Sequence, residues 1–198
     1  MKHINNSKKD NISLSFIKQR LSVIEENNKG IIGDRLSFLM SDGYRVSDTS
    51  LTYRQINTLG VSGLLNGSKE NSRGWRSFTF KDLVFLDILS ELRKYGLEGR
   101  QLKKIKDFFY AKNSNINLVL VAVLLKIKIT IALRADGSFD IFEMITGSLS
   151  LDKEYRAVII LNLNEFVNNV LERLSMEKIN YSTTLSVFSE MYNKDNSI

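Results

Sequence analysis

The chain has 198 residues, 43% hydrophobic and 25% charged, which is an ordinary balance for a globular protein and enough apolar material for one larger domain or two small ones. It has no cysteine and one histidine, His3 beside the terminus. Disulfides, thiolate metal sites and cysteine nucleophiles are therefore excluded, and a histidine-ligated zinc site or a Ser-His-Asp triad is disfavoured.

The net charge is +6, and its whole excess lies between Tyr44 and Lys112, which hold 13 Lys or Arg against 7 Asp or Glu; the remainder carries 15 of each. A basic excess confined to one segment marks either a polyanion-binding surface or a solvated helix face. The first 20 residues carry five Lys or Arg and no continuous apolar run, so no signal peptide is expected. The longest apolar run, Leu118 to Leu125, falls well short of the roughly 20 residues that cross a bilayer. These features predict a soluble, cytoplasmic protein with no membrane partner.

Residues 1 to 11 are polar and are expected to be disordered. Leu14, Ile17, Leu21 and Ile24 recur at helical spacing and predict a helix from Leu14 to Asn28, ended by Gly30. Ile31 to Met40 is apolar enough to pack, with helix favoured from Asp34. Asp42 to Thr49 predicts a short helix burying Tyr44 or Val46. Thr52 is a good N-cap for a helix from Tyr53 to Ser62 that stops at Gly63. Gly, Ser, Asn and Lys dominate Asn66 to Gly74, a turn. Trp75, Phe78 and Phe80, with Ser77 and Thr79 among them, suggest a short strand.

Lys81 to Tyr95 then gathers Leu83, Val84, Leu86, Ile88, Leu89 and Leu92 on one broad face and stops at Gly96. Glu98 to Tyr110 is a further helix, buried through Leu102, Ile105, Phe108 and Phe109, with Lys103, Lys104 and Lys106 more exposed. Composition changes after Lys112. Asn115 to Leu125 is nearly uncharged and reads as a buried helix, with a strand as the alternative. Lys126 to Arg134 alternates Ile127, Ile129, Ile131 and Leu133 with Lys and Thr, a half-buried strand. Asp136-Gly137 signals a type I′ hairpin into a returning strand, Ser138 to Glu143. Arg156 to Leu163 predicts a third strand. Asn164 to Met176 predicts a helix with Phe166, Val167, Val170, Leu171 and Leu174 on one face.

The residues that carry chemistry lie between Thr52 and Phe78. Arg54, Gln55, Asn57 and Thr58 fall in the first turns of a helix, from which Arg can pair with guanine and Gln or Asn with adenine. Thr52 and Tyr53 stand at the helix start, where a hydroxyl and backbone N–H groups suit a phosphate. Arg73 and Arg76 suit phosphate or minor-groove contacts, and Trp75 and Phe78 are expected to pin the basic loop to the core.

In order and spacing, Thr52-Tyr53-Arg54-Gln55-Ile56-Asn57, Gly63-Leu64, Arg73-Gly74-Trp75-Arg76-Ser77-Phe78, Asp82-Leu83, and Leu92-Arg93 with Gly96-Leu97 resemble the MerR family of winged helix-turn-helix regulators. The likeness covers about residues 42 to 110. It implies a recognition helix, a basic wing at 72–78 and binding to double-stranded DNA as a homodimer, with the protein associated with the nucleoid. Family metal sensors use cysteines, which this chain lacks, so metal sensing is not implied. The family's long coiled-coil helix is not evident, and Gly60 inside the recognition helix is unexpected.

The resulting expectation is an α+β chain. Residues 1–40 form a tail and an amphipathic helix, and 41–112 a mainly helical winged helix-turn-helix domain. Residues 113–198 form a small α/β domain with a short antiparallel sheet, serving dimerisation, docking or an effector. The expected function is transcription regulation, with no catalytic residues, metal or cofactor. Two alternatives remain open: an accessory or architectural factor for recombination or replication of a mobile element, and a protein-interaction module with a degenerate winged helix. Asp136, Asp140 and Glu143 are the best carboxylates for a catalytic reading, but a hairpin turn and an alternating strand explain them more simply.

Overall fold

Residues 10–65, 76–110, 116–134, 139–143 and 158–179 are described by a computed structural model of the chain. The apolar spacing near the N-terminus is realised as two helices, α1 (Asp10–Asn27) and α2 (Ile31–Met40), and α1 starts inside the stretch expected to be disordered. They fold back on each other through Gly30, whose φ of +87° suits a residue without Cβ. The Glu25 carboxylate accepts hydrogen bonds from the backbone N–H of Gly30 (2.7 Å) and of Ile32 (3.0 Å). It thereby satisfies donors that the start of α2 leaves unpaired. That is why α2 begins at Ile31 rather than at Asp34.

The helix expected over Asp42 to Thr49 is not formed; one 3₁₀ turn, Val46–Asp48, stands in its place. Gly43 has a φ of +104° and Arg45 is extended, which interrupts helical propagation. The Asp48 carboxylate accepts from the Arg45 N–H at 2.7 Å and closes the turn on itself. Nor is there a strand from Trp75 to Phe80 among the described residues. Phe78 and Tyr44 exchange two backbone hydrogen bonds of 2.9 and 3.2 Å as an isolated bridge. Phe80 already belongs to the next helix.

Helices α3 (Tyr53–Val61), α4 (Phe80–Lys94), α5 (Arg100–Tyr110) and α6 (Ile116–Leu124) follow the predicted order. Thr79 and Asp82 cap α4 reciprocally: Asp82 N–H donates to the Thr79 hydroxyl (3.1 Å), and Thr79 N–H donates to the Asp82 carboxylate (2.8 Å). The other Asp82 oxygen accepts from the Tyr110 hydroxyl, and burial with Asp82 alongside holds that phenol well above its ordinary pKa. Lys81 donates to Asn117 at 2.8 Å and lies 5.0 Å from the centre of the Tyr110 ring; burial lowers its pKa. The first turn of α4 is thus tied to both α5 and α6. Every residue from Phe80 to Leu89 is buried, as expected of a helix covered all round. Phe85 packs on Phe109 and Tyr110, with ring centres 5.0 and 5.1 Å away.

Strands β1 (Ile129–Arg134), β2 (Phe139–Glu143) and β3 (Val158–Asn162) form an antiparallel sheet in the order β2-β1-β3. Ile131 stands opposite Ile141 on one side and Leu161 on the other. β1 was expected to be half-buried; instead Ile129 to Leu133 are all buried, because the central strand is covered on both faces. The Asp136-Gly137 hairpin lies outside the described residues. Helix α7 (Leu163–Arg173) leaves β3 directly, and its Asn164 side chain accepts from Ile129 N–H (2.8 Å) and donates to the Ile127 carbonyl (3.0 Å).

Among the described residues the chain is an α+β structure of seven helices and this one sheet. One continuous cluster of buried side chains runs from Ile17 of α1 through Ile56, Phe85, Val121 and Ile131 to Leu171 of α7. No described helix is long and apolar enough to cross a membrane.

Candidate nucleic-acid interface

The helix at the centre of the sequence argument begins as its N-cap predicts. Gln55 N–H donates to the Thr52 hydroxyl oxygen (3.3 Å), while Gln55 Oε1 accepts from Thr52 N–H (2.8 Å) and from the Thr52 hydroxyl (2.9 Å). Thr52 and Gln55 are therefore occupied in starting the helix, and Gln55 keeps only its amide N–H groups to offer outward. Ile56 and Leu59 point into the core.

Opposite them, Tyr53, Arg54, Asn57, Thr58 and Val61 are exposed and, with Ser62, line one open depression of about 560 Å³. The Thr58 hydroxyl donates to the Arg54 carbonyl at 3.0 Å, so it is engaged with its own helix. Arg54 has no ion pair among the described residues, and α3 contains no acidic residue. The outward face therefore offers one free guanidinium, one amide and one phenol.

Three features around α3 hold this face in position. At its C-terminal end, Lys106 of α5 donates to the Gly63 carbonyl at 2.8 Å, placing a cation where the helix dipole favours one. At its N-terminal end, Arg173 of α7 donates through Nε to the Asp48 carbonyl (2.8 Å) and through Nη2 to the Asp87 carboxylate (3.0 Å). Asp87 also accepts from the Ser50 hydroxyl at 2.5 Å.

The third feature explains Gly60. A Cβ at that position would lie 2.5 Å from Nη2 and 3.3 Å from Cζ of Arg76, so the guanidinium at the end of the basic loop lies against the helix where a side chain is missing. Arg73 and Trp75 fall outside the described residues. Phe78 is buried, and with Tyr44 it anchors the segment that carries Arg76.

Gly60→Ala tests this contact. The clash is with the tip of a flexible side chain, while alanine gains about 1 kcal/mol in helix propensity. Urea unfolding is expected to show equal or slightly greater stability, up to about 1 kcal/mol. A loss of that size would mean that Arg76 is fixed and cannot give way.

Of the residues singled out in the sequence, Tyr53, Arg54, Asn57 and Thr58 share one exposed face, Thr52 and Gln55 form its cap, and Arg76 borders it at Gly60. Sequence reasoning missed Val61 and the positioning roles of Lys106 and Arg173. Val61 was hidden because a valine near a helix end normally signals packing. Lys106 and Arg173 act across the fold, beyond any local pattern.

Of the carboxylates weighed for catalysis, Asp140 and Glu143 belong to β2. Asp140 pairs with Ala132 and Glu143 with Ile129. Asp136 is outside the described residues, among which no group of three or more His, Cys, Asp or Glu could hold a metal ion. Compared with models of protein families, with curated proteins and with solved structures, the chain finds no match, so a functional reading rests on its own residues.

Proposed function

We propose that this chain is a sequence-specific double-stranded DNA-binding protein, a transcriptional regulator that resembles the MerR family and acts as a homodimer in the cytoplasm on the nucleoid. Helix α3 enters the major groove, and the basic wing at 72–78 contacts the backbone. The observation that carries this reading is the outward face of α3. Arg54 and Asn57 are exposed there without an acidic neighbour on the helix, inside the segment that holds the whole positive excess of the chain. Arginine and asparagine are suited to paired hydrogen bonds with guanine and adenine edges, and Tyr53 beside the N-terminus of α3 is suited to a phosphate.

The test is selection of genomic fragments by the purified protein at near-physiological salt. One enriched motif, above all an inverted repeat, supports the reading. Retention without a motif favours an architectural or accessory factor, and no retention at any salt favours a protein-interaction module. On an enriched fragment, Arg54→Ala is expected to lower specific affinity by about 1–3 kcal/mol while changing non-specific affinity far less. Equal loss on all sequences would confine Arg54 to the backbone. Arg76→Ala is expected to weaken binding to every sequence and to flatten the salt dependence by about one phosphate contact.

A further inference from the structure

The most exposed large hydrophobic side chain among the described residues is Val61, at 93% of its full accessibility. It lies on α3 opposite the buried pair Ile56 and Leu59, in the same depression as Tyr53, Arg54, Asn57 and Thr58. A valine in that position contributes nothing to the core. It also has low intrinsic helix propensity, so it does not serve the helix either.

Its surroundings indicate what covers it. The neighbours across the face are hydrogen-bonding or cationic side chains, α3 has no carboxylate, and the Thr58 hydroxyl is turned back to the Arg54 carbonyl. This is one apolar contact set among donors that suit base edges. The major groove offers one apolar group of matching size, the C5-methyl of thymine, and small apolar side chains recognise it by contact.

We propose that Val61 reads a thymine C5-methyl in the major groove, so that the site bound by this chain contains an A·T pair fixed by an apolar contact beside the pairs read by Arg54 and Asn57. The inference rests on the DNA-binding reading above and adds to it a base and the residue that selects it.

Two selections from a randomised duplex pool separate the possibilities, one pool made with thymidine and one with deoxyuridine throughout. Deoxyuridine keeps every hydrogen-bonding group of thymidine and removes only the methyl. The wild-type chain is expected to enrich one motif from the thymidine pool and to lose preference at a single A·T position in the deoxyuridine pool. Val61→Ala, which touches no core residue, is expected to lose preference at that same position from the thymidine pool.

On the isolated site, replacing that one thymidine by deoxyuridine should weaken wild-type binding about three- to five-fold, the magnitude of one buried methyl, and should leave Val61→Ala binding unchanged. The same motif with undiminished preference from both pools, and from Val61→Ala, overturns the methyl contact and leaves DNA reading intact. No motif from either pool overturns both.

Discussion

Asn164→Leu is expected to destabilise the protein by about 2–5 kcal/mol, a large share of the 5–15 kcal/mol typical of a folded domain. Asn164 is almost fully buried, and both ends of its amide are used: the oxygen by Ile129 N–H and the nitrogen by the Ile127 carbonyl. The side chain thereby serves the backbone where the chain leaves α6 and enters β1. Leucine fills a similar volume but leaves one buried donor and one buried acceptor without partners, each costing about 1–3 kcal/mol. Urea unfolding should show a lower midpoint with an unchanged slope. A shift below about 1 kcal/mol would mean that other groups take over both bonds.

Arg173→Met is expected to cost about 2–4 kcal/mol, at or below the range for breaking a buried ion pair because the Arg173 side chain keeps 23% of its accessibility. The Asp87 side chain is 8% accessible and would keep only the Ser50 hydroxyl, and the Asp48 carbonyl would lose its donor. Adding Asp87→Asn to Arg173→Met removes the uncompensated charge and should recover part of the loss. Strict additivity of the two changes would show that the pair is not coupled. The effect should also be local. Asp48 and Ser50 bracket the turn that leads into α3, so hydrogen exchange at Thr49 and Leu51 should accelerate in Arg173→Met more than exchange in β1. Uniform acceleration would point to global loosening instead.

Elements governed by neighbouring residues were legible in the sequence. The Thr52 cap, the stop at Gly63 and the turn at Gly96 follow from local hydrogen bonding and φ preferences, whereas Thr79, expected in a short strand, caps α4 instead. What the sequence did not disclose depends on distant partners. Helix α2 begins early because Glu25 of α1 reaches its free N–H groups. The segment before α3 makes one 3₁₀ turn because Asp48 closes it and Arg173, 125 residues away, holds its carbonyl. Alternation in β1 suggested a single buried face, but pattern alone does not reveal a second covering layer. At the candidate interface, residue types identified the exposed Arg54 and Asn57. The purpose of Gly60 emerged only from the path of Arg76.

On α3 the residues that fold the helix and the residues that face outward are almost disjoint sets. Ile56 and Leu59 are buried, Thr52 and Gln55 close the first turn, and Tyr53, Arg54, Asn57 and Val61 carry little of the core. A lineage of this protein is therefore free to change the outward face, one residue at a time, with little risk to folding, since exposed positions away from caps usually shift stability by no more than about 0.5 kcal/mol. The freedom ends at Gly60, where any larger side chain must be matched by a shorter or redirected one at Arg76. Residues bulkier than alanine at position 60 should appear together with a change at 76, while 54, 57 and 61 drift alone.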